Sequence, residues 1–104
     1  MRTMRSILQV DESRCWLCGR PANGDPLDWH HVFGGAYRKK SEKYGLKVKL
    51  HHNYCHIFGD RAVHQCAERN REMQKRAQVI AMATYGWSED EFRTMFGRSY
   101  LGET

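Results

Sequence analysis

Four cysteines and six histidines in 104 residues are the groups with the most chemistry to offer. Cys15 and Cys18 are separated by two residues, a spacing at which both thiolates can reach one tetrahedral ion while amides of the turn support the sulfurs. The stretch HHNYC repeats that gap with His52 and Cys55. It predicts a structural zinc site made of Cys15, Cys18, His52 and Cys55, with His51 competing for the same place. Cys66 lies on an apolar helical stripe, reads as a small hydrophobe and stays outside the site. All the histidines fall between His30 and His64, which concentrates ligand types in one half of the chain. The stretch DWHHVFGG, Asp28 to Gly35, poses a separate question. A strand sends neighbouring side chains to opposite faces, so His30 and His31 cannot fill the same core.

The elements that position these groups follow from the apolar pattern. CWLCGRPANGDP reads as a tight knuckle and loop, and LDWHHVF as a strand closed by Gly34 and Gly35. AYRKKSEKY is a solvated loop or a short exposed helix, after which GLKVKLH alternates apolar and basic residues, the period of a strand buried on one face. Two strands joined by a basic loop make a hairpin-like unit. A long helix is expected from near Asp60, its inner face traced by Val63, Cys66, Ala67, Met73, Ala77, Ile80 and Thr84. A last helix opens with Ser88 and Glu91 spaced as a capping box and Trp87 and Phe92 spaced as a hydrophobic staple. The first dozen residues are unpatterned and read as an arm or peripheral element.

The chain is long enough for one domain, with a core over about residues 13–66 and a helical extension over about 67–104, but too short for a generous core, so a metal cross-link is unsurprising. Lysine and arginine number 17 against 12 acids, a formal charge of +5 that favours polyanionic partners, nucleic acid ahead of a membrane surface. No apolar run approaches a membrane span, and the amino-terminal apolar stretch is too short for a secretory signal, so a cytoplasmic location is expected. That compartment keeps thiols reduced and directs the cysteines toward metal.

Taken together, the Cys-x-x-Cys pair, DWHHVFGG, GLKVKLHHNYCH and AVH resemble the HNH endonucleases, and HHVFGG followed by R, SEKYGL and V.L is similar to small HNH-type proteins of bacteriophages and prophages. The resemblance covers about Cys15 to His64. It implies an α+β fold: a small zinc-stapled, treble-clef-like ββα-metal core with carboxy-terminal helices. It also implies His31 as general base, His30 and His56 as ligands of a divalent catalytic ion (Mg²⁺, Mn²⁺, Ni²⁺ or Zn²⁺), and His64 as a residue that completes or adjusts the metal shell. For both neighbouring histidines to serve one site, the strand must twist or bulge, or one imidazole must reach round an edge. HNH proteins usually carry an asparagine before the second strand's knuckle residues; YGLKVKL has none, and Asn53 comes too late.

Hydrolysis of a phosphodiester needs a base on one side and charge stabilisation on the other, which an imidazole and a cation supply. The resemblance implies products with a 5′-phosphate and a 3′-hydroxyl. Arg38, Lys39, Lys40 and Lys43 in the loop, with Lys47 and Lys49 on the second strand's outer face, form an expected phosphate track on double-stranded DNA of low sequence specificity. Trp16 and Trp29 read as packing residues. The competing reading is a non-catalytic zinc-finger module that binds DNA or a phage or host protein; it needs the structural zinc and no second ion. A thiol redox role for Cys15 and Cys18 is disfavoured, because the chain lacks the alternating strand-helix pattern of such motifs.

Overall fold

The alternation of Leu46, Val48 and Leu50 with lysines becomes strand β2, Lys47–His51, in the computed structural model, which describes residues 5–57, 62–63 and 65–101. It pairs antiparallel with β1, Leu27–His31, in a one-to-one register from Leu27 opposite His51 to His31 opposite Lys47. Between the strands the basic segment forms a short helix, α1, Arg38–Lys43, exposed except for the buried Ser41 and half-buried Glu42. The Ser41 hydroxyl donates to the Leu46 carbonyl at 2.5 Å and accepts from the Phe33 amide at 3.3 Å, which clamps the connection to both strand ends.

β2 is more enclosed than its alternation implies. Residues of the amino-terminal segment line its outer edge: Ile7 N donates to Gly45 O at 2.9 Å, Ser6 Oγ to Lys47 O at 2.5 Å, Lys49 N to Gln9 Oε1 at 2.8 Å and Trp16 N to Lys49 O at 2.9 Å. An edge strand otherwise offers unpaired amides and carbonyls to other chains. The expected unpatterned arm is therefore an edge cover, held through the Ile7 backbone and the Ser6 and Gln9 side chains. Lys47 was expected on an exposed face but is only 5% exposed, because Glu42 and Trp29 close over it.

Gly45 turns the chain into β2 at φ +72°, and a Cβ there would collide with the Arg5 carbonyl. Gly45→Ala therefore combines left-handed backbone strain with displacement of the edge cover, an expected loss of about 2–4 kcal/mol. Urea unfolding checks it through a lower midpoint at unchanged slope.

The long helix, α2, runs Ala67–Tyr85; the expected start near Asp60 lies outside the described residues. Its buried face is Met73, Ala77, Gln78 and Ala81, while Ala67 and Thr84, expected inside, are exposed. Gln78 clasps the chain end: its Nε2 donates to Ser99 Oγ at 3.0 Å and its Oε1 accepts from Tyr100 N at 2.7 Å. The last helix, α3, Glu89–Phe96, begins with the expected capping box, Ser88 Oγ accepting from Glu91 N and Glu91 Oε1 from Ser88 N, each at 3.1 Å. Its Phe92 and Phe96 stack at 4.8 Å between ring centres and meet Phe33 at 5.3 and 4.9 Å. The two helices thus extend the core founded on Leu46, Val48 and Leu50. The result is a small mixed fold of helices and a two-stranded sheet. Among the described residues no helix is long and apolar enough to cross a membrane.

Candidate metal centres

Cys15 opens the knuckle, where its N–H donates to Arg20 O at 2.9 Å and its carbonyl accepts from Gly19 N at 2.8 Å. These bonds present Cys15 and Cys18 from one turn, and the Trp16–Lys49 bond docks that turn on β2. His51 ends β2, and Cys55 lies in a π-helical turn, His52–Ile57, that follows directly. One ligand atom from each of Cys15, Cys18, His51 and Cys55 lies within 4.8 Å of the others, so the four could hold a metal ion. His51 Nδ1 is 3.3 Å from Cys18 Sγ and 3.8 Å from Cys55 Sγ, while its Nε2 is 2.7 Å from the Pro21 carbonyl. A carbonyl only accepts, so Nε2 carries the proton and Nδ1 turns its lone pair to the thiols, the orientation a metal ligand needs.

His51 thus takes the place that the spacing gave to His52. The cause is local: β2 delivers His51 to the knuckle, and the backbone then enters the turn and carries His52 elsewhere. Burial opposes ionisation of Cys15, but N–H groups of Cys18, His51 and Leu17 and the Cys55 thiol bring its pKa down to about 7. Burial, then the neighbouring Cys15, push the Cys55 thiol up. Both shifts describe thiols crowded together, the situation a cation relieves. Cys66 directly precedes α2 instead of lying on its stripe, and the group formed among the described residues does not include it.

His52 belongs to a second group with Asp28 and His56, whose ligand atoms also lie within 4.8 Å of one another. His52 Nδ1 makes a short contact with Asp28 Oδ2, and His56 Nδ1 is 3.3 Å from the same oxygen. His30, two residues along β1 from Asp28 and on the same face, brings its Nδ1 to 3.2 Å from His56 Nε2. The turn is anchored at both ends of its first residues. His52 N donates to Pro26 O at 2.8 Å, and the Asp25 carboxylate accepts from Asn53 N and Tyr54 N, each at 2.9 Å. Burial works against the charged form of Asp28, but hydrogen bonds from His52 and His56 leave its carboxyl below the usual range.

His31 does not join this group. The ladder to its neighbour strand has no bulge, so alternation holds and its imidazole stands on the other face, Nε2 at 2.8 Å from Glu42 Oε1. Glu42 Oε2 meets Lys47 Nζ at 2.8 Å, and Lys47, more than His31, holds the Glu42 carboxyl below its usual range against the opposing effect of burial. Of the expected phosphate track, Arg38, Lys39, Lys40 and Lys43 are exposed and Lys49 is half-buried. Lys40 is engaged with the Met95 carbonyl at 2.8 Å, and Lys47 leaves the track because it is buried and paired. His64 lies outside the described residues.

Asp28 and Glu42 are the side chains of these groupings that motif spacing missed. Asp28 could have been found from the two-residue period it shares with His30, and His52 from its i, i+4 relation to His56. The chain therefore carries a thiol-rich group and a separate oxygen and nitrogen group, each close enough to hold a metal ion. Compared with protein-family models, with curated proteins and with solved structures, the chain matches none of them.

Proposed function

We propose that this protein is a metal-dependent endonuclease of the HNH kind, hydrolysing phosphodiester bonds in DNA from a zinc-stapled, treble-clef-like ββα core. The observation that carries the reading is the Asp28, His52 and His56 group, assembled from β1 and the turn after β2 beside a separate Cys15, Cys18, His51 and Cys55 group. The two donor sets differ as structural and catalytic sites do. Three thiols and an imidazole close a tetrahedral zinc shell, whereas one carboxylate and two imidazoles leave open positions and suit Zn²⁺, Mn²⁺, Ni²⁺ or, less well, Mg²⁺. A divalent ion held by the second set would supply Lewis-acid polarisation of a phosphoryl oxygen and neutralise charge on the leaving oxygen.

His30 orients His56 through the Nδ1 to Nε2 contact. His31 keeps the general-base role, supported by its pairing with Glu42: a carboxylate held ionised by Lys47 accepts from Nε2–H and leaves Nδ1 as the proton acceptor. His31 is the last residue of β1, and its neighbour His30 meets His56 on the opposite face, so a substrate bound at that strand end would have to reach round it to use both. Arg38, Lys39, Lys43 and Lys49 supply positive charge for the flanking phosphates.

A supercoiled-plasmid nicking assay with added divalent ions, comparing wild type with His31→Ala, tests this. Nicking by the wild type and its near-loss in the variant is the expected result. Retained nicking by His31→Ala moves the base to His30. No nicking with any ion favours the second reading, a zinc-stapled module that binds DNA or a partner protein; the observation on its side is that His31 faces Glu42 and not the second group.

A further inference from the structure

Trp29 is an aromatic side chain of the hairpin whose placement departs from a packing role. It lies in the middle of β1, yet is 37% exposed. A tryptophan in a hairpin that borders the core buries its large surface when packing is its purpose. Here it lies across β2: Lys49, directly opposite in the register, places Nζ 4.6 Å from the indole centre, and Lys47, on its diagonal, places Nζ 4.9 Å from it. Both ammonium groups reach the ring from the neighbouring strand on the same sheet face, and the residue still keeps over a third of its surface exposed. Lys47 is fixed by its bond to Glu42, which makes the support rigid. His31 belongs to the same face, two residues further along β1.

From this arrangement we infer that Trp29 is a stacking platform for an unpaired nucleobase, with Lys49 receiving the adjoining phosphate, so that the preferred substrate of the hairpin is single-stranded or locally unpaired nucleic acid. The chemistry fits the occupant. A π-face accepts any base, which asks for no sequence reading, and the half-buried Lys49 beside it complements a polyanion. An intact duplex hides its base faces and could use only the lysines. The inference rests on the nucleic-acid part of the function proposed above, and refines its substrate class.

The test uses the full, zinc-loaded chain carrying His56→Ala, so that binding is read without cleavage. Fluorescence anisotropy with a labelled oligothymidine of roughly 12 nucleotides, and with a duplex of the same length, measures Kd with and without Trp29→Ala. A stacked base is worth about 1–3 kcal/mol, so Kd for the single strand should rise by roughly tenfold or more, with less than about a twofold change for the duplex. Lys49→Gln should weaken both ligands and lower the salt dependence of binding, which Trp29→Ala should leave unchanged. Trp29→Phe retains an aromatic face and guards against misfolding. It should bind within a few-fold of the parent while losing the quenching of tryptophan emission that oligothymidine causes. Unchanged single-strand affinity in Trp29→Ala, an equal loss on both ligands, or quenching that survives in Trp29→Phe would each overturn the platform. Nicking by the wild type with no Trp29 dependence of binding leaves the nuclease standing without the platform; Trp29-dependent binding without nicking does the reverse.

Discussion

His56→Ala is expected to reduce divalent-dependent plasmid nicking by at least about a hundredfold while leaving the zinc content and the fold in place. His56 has a partner on each ring nitrogen: Nδ1 faces Asp28 Oδ2 at 3.3 Å and Nε2 faces His30 Nδ1 at 3.2 Å. Its loss would remove one of the three candidate ligands and leave the Asp28 carboxylate beside the His52 imidazole. Asp28→Asn should have a comparable effect, because the amide keeps the size of the side chain but removes the charge that draws a cation. His30→Ala should cost less, roughly 10–100-fold, since it acts on the ion through His56. Initial nicking rates across a divalent-ion titration separate these cases: ligand losses raise the ion concentration needed, and a defect in proton transfer does not. Wild-type nicking by His56→Ala with an unaltered ion requirement would remove the second group from the chemistry.

Removal of the zinc proposed for the thiol-rich group should strongly destabilise the protein. The Cys15, Cys18, His51 and Cys55 group joins the knuckle, the end of β2 and the following turn, three segments connected otherwise by few backbone bonds. A core of this size does not hold such loops alone, and structural zinc contributes folding free energy directly. Dialysis against a strong chelator, followed by a thermal melt monitored by circular dichroism, should lower the midpoint by roughly 15 °C or more. The adjacent histidines then give opposite outcomes. His51→Ala should lose zinc and stability, whereas His52→Ala should keep both and lose only the response to the second ion. Metal content measured after gel filtration is expected at about one zinc per chain for wild type and His52→Ala, and well below that for His51→Ala. The reverse pattern would return His52 to the zinc shell.

Residue types and local periods carried much of this protein into view. The alternation of Leu46, Val48 and Leu50 predicted β2, the Ser88 and Glu91 pair predicted the start of α3, and the spacing of Cys15, Cys18 and Cys55 predicted three members of the thiol-rich group. These are short-range signals: a strand period, a cap and a knuckle are each satisfied within a few residues, so the sequence alone contains them. The partition of the histidines was settled by tertiary structure. His51 and His52 are neighbours in the chain, as are His30 and His31, and composition cannot say which member of each pair meets which group. That depends on where β2 stops and a π-helical turn begins, and on a hairpin register that remains unbroken to His31. Asp28, Glu42 and the exposed face of Trp29 are of the same kind. Each owes its role to a partner more than ten residues away, brought near only when the strands pair and the turn folds back on them.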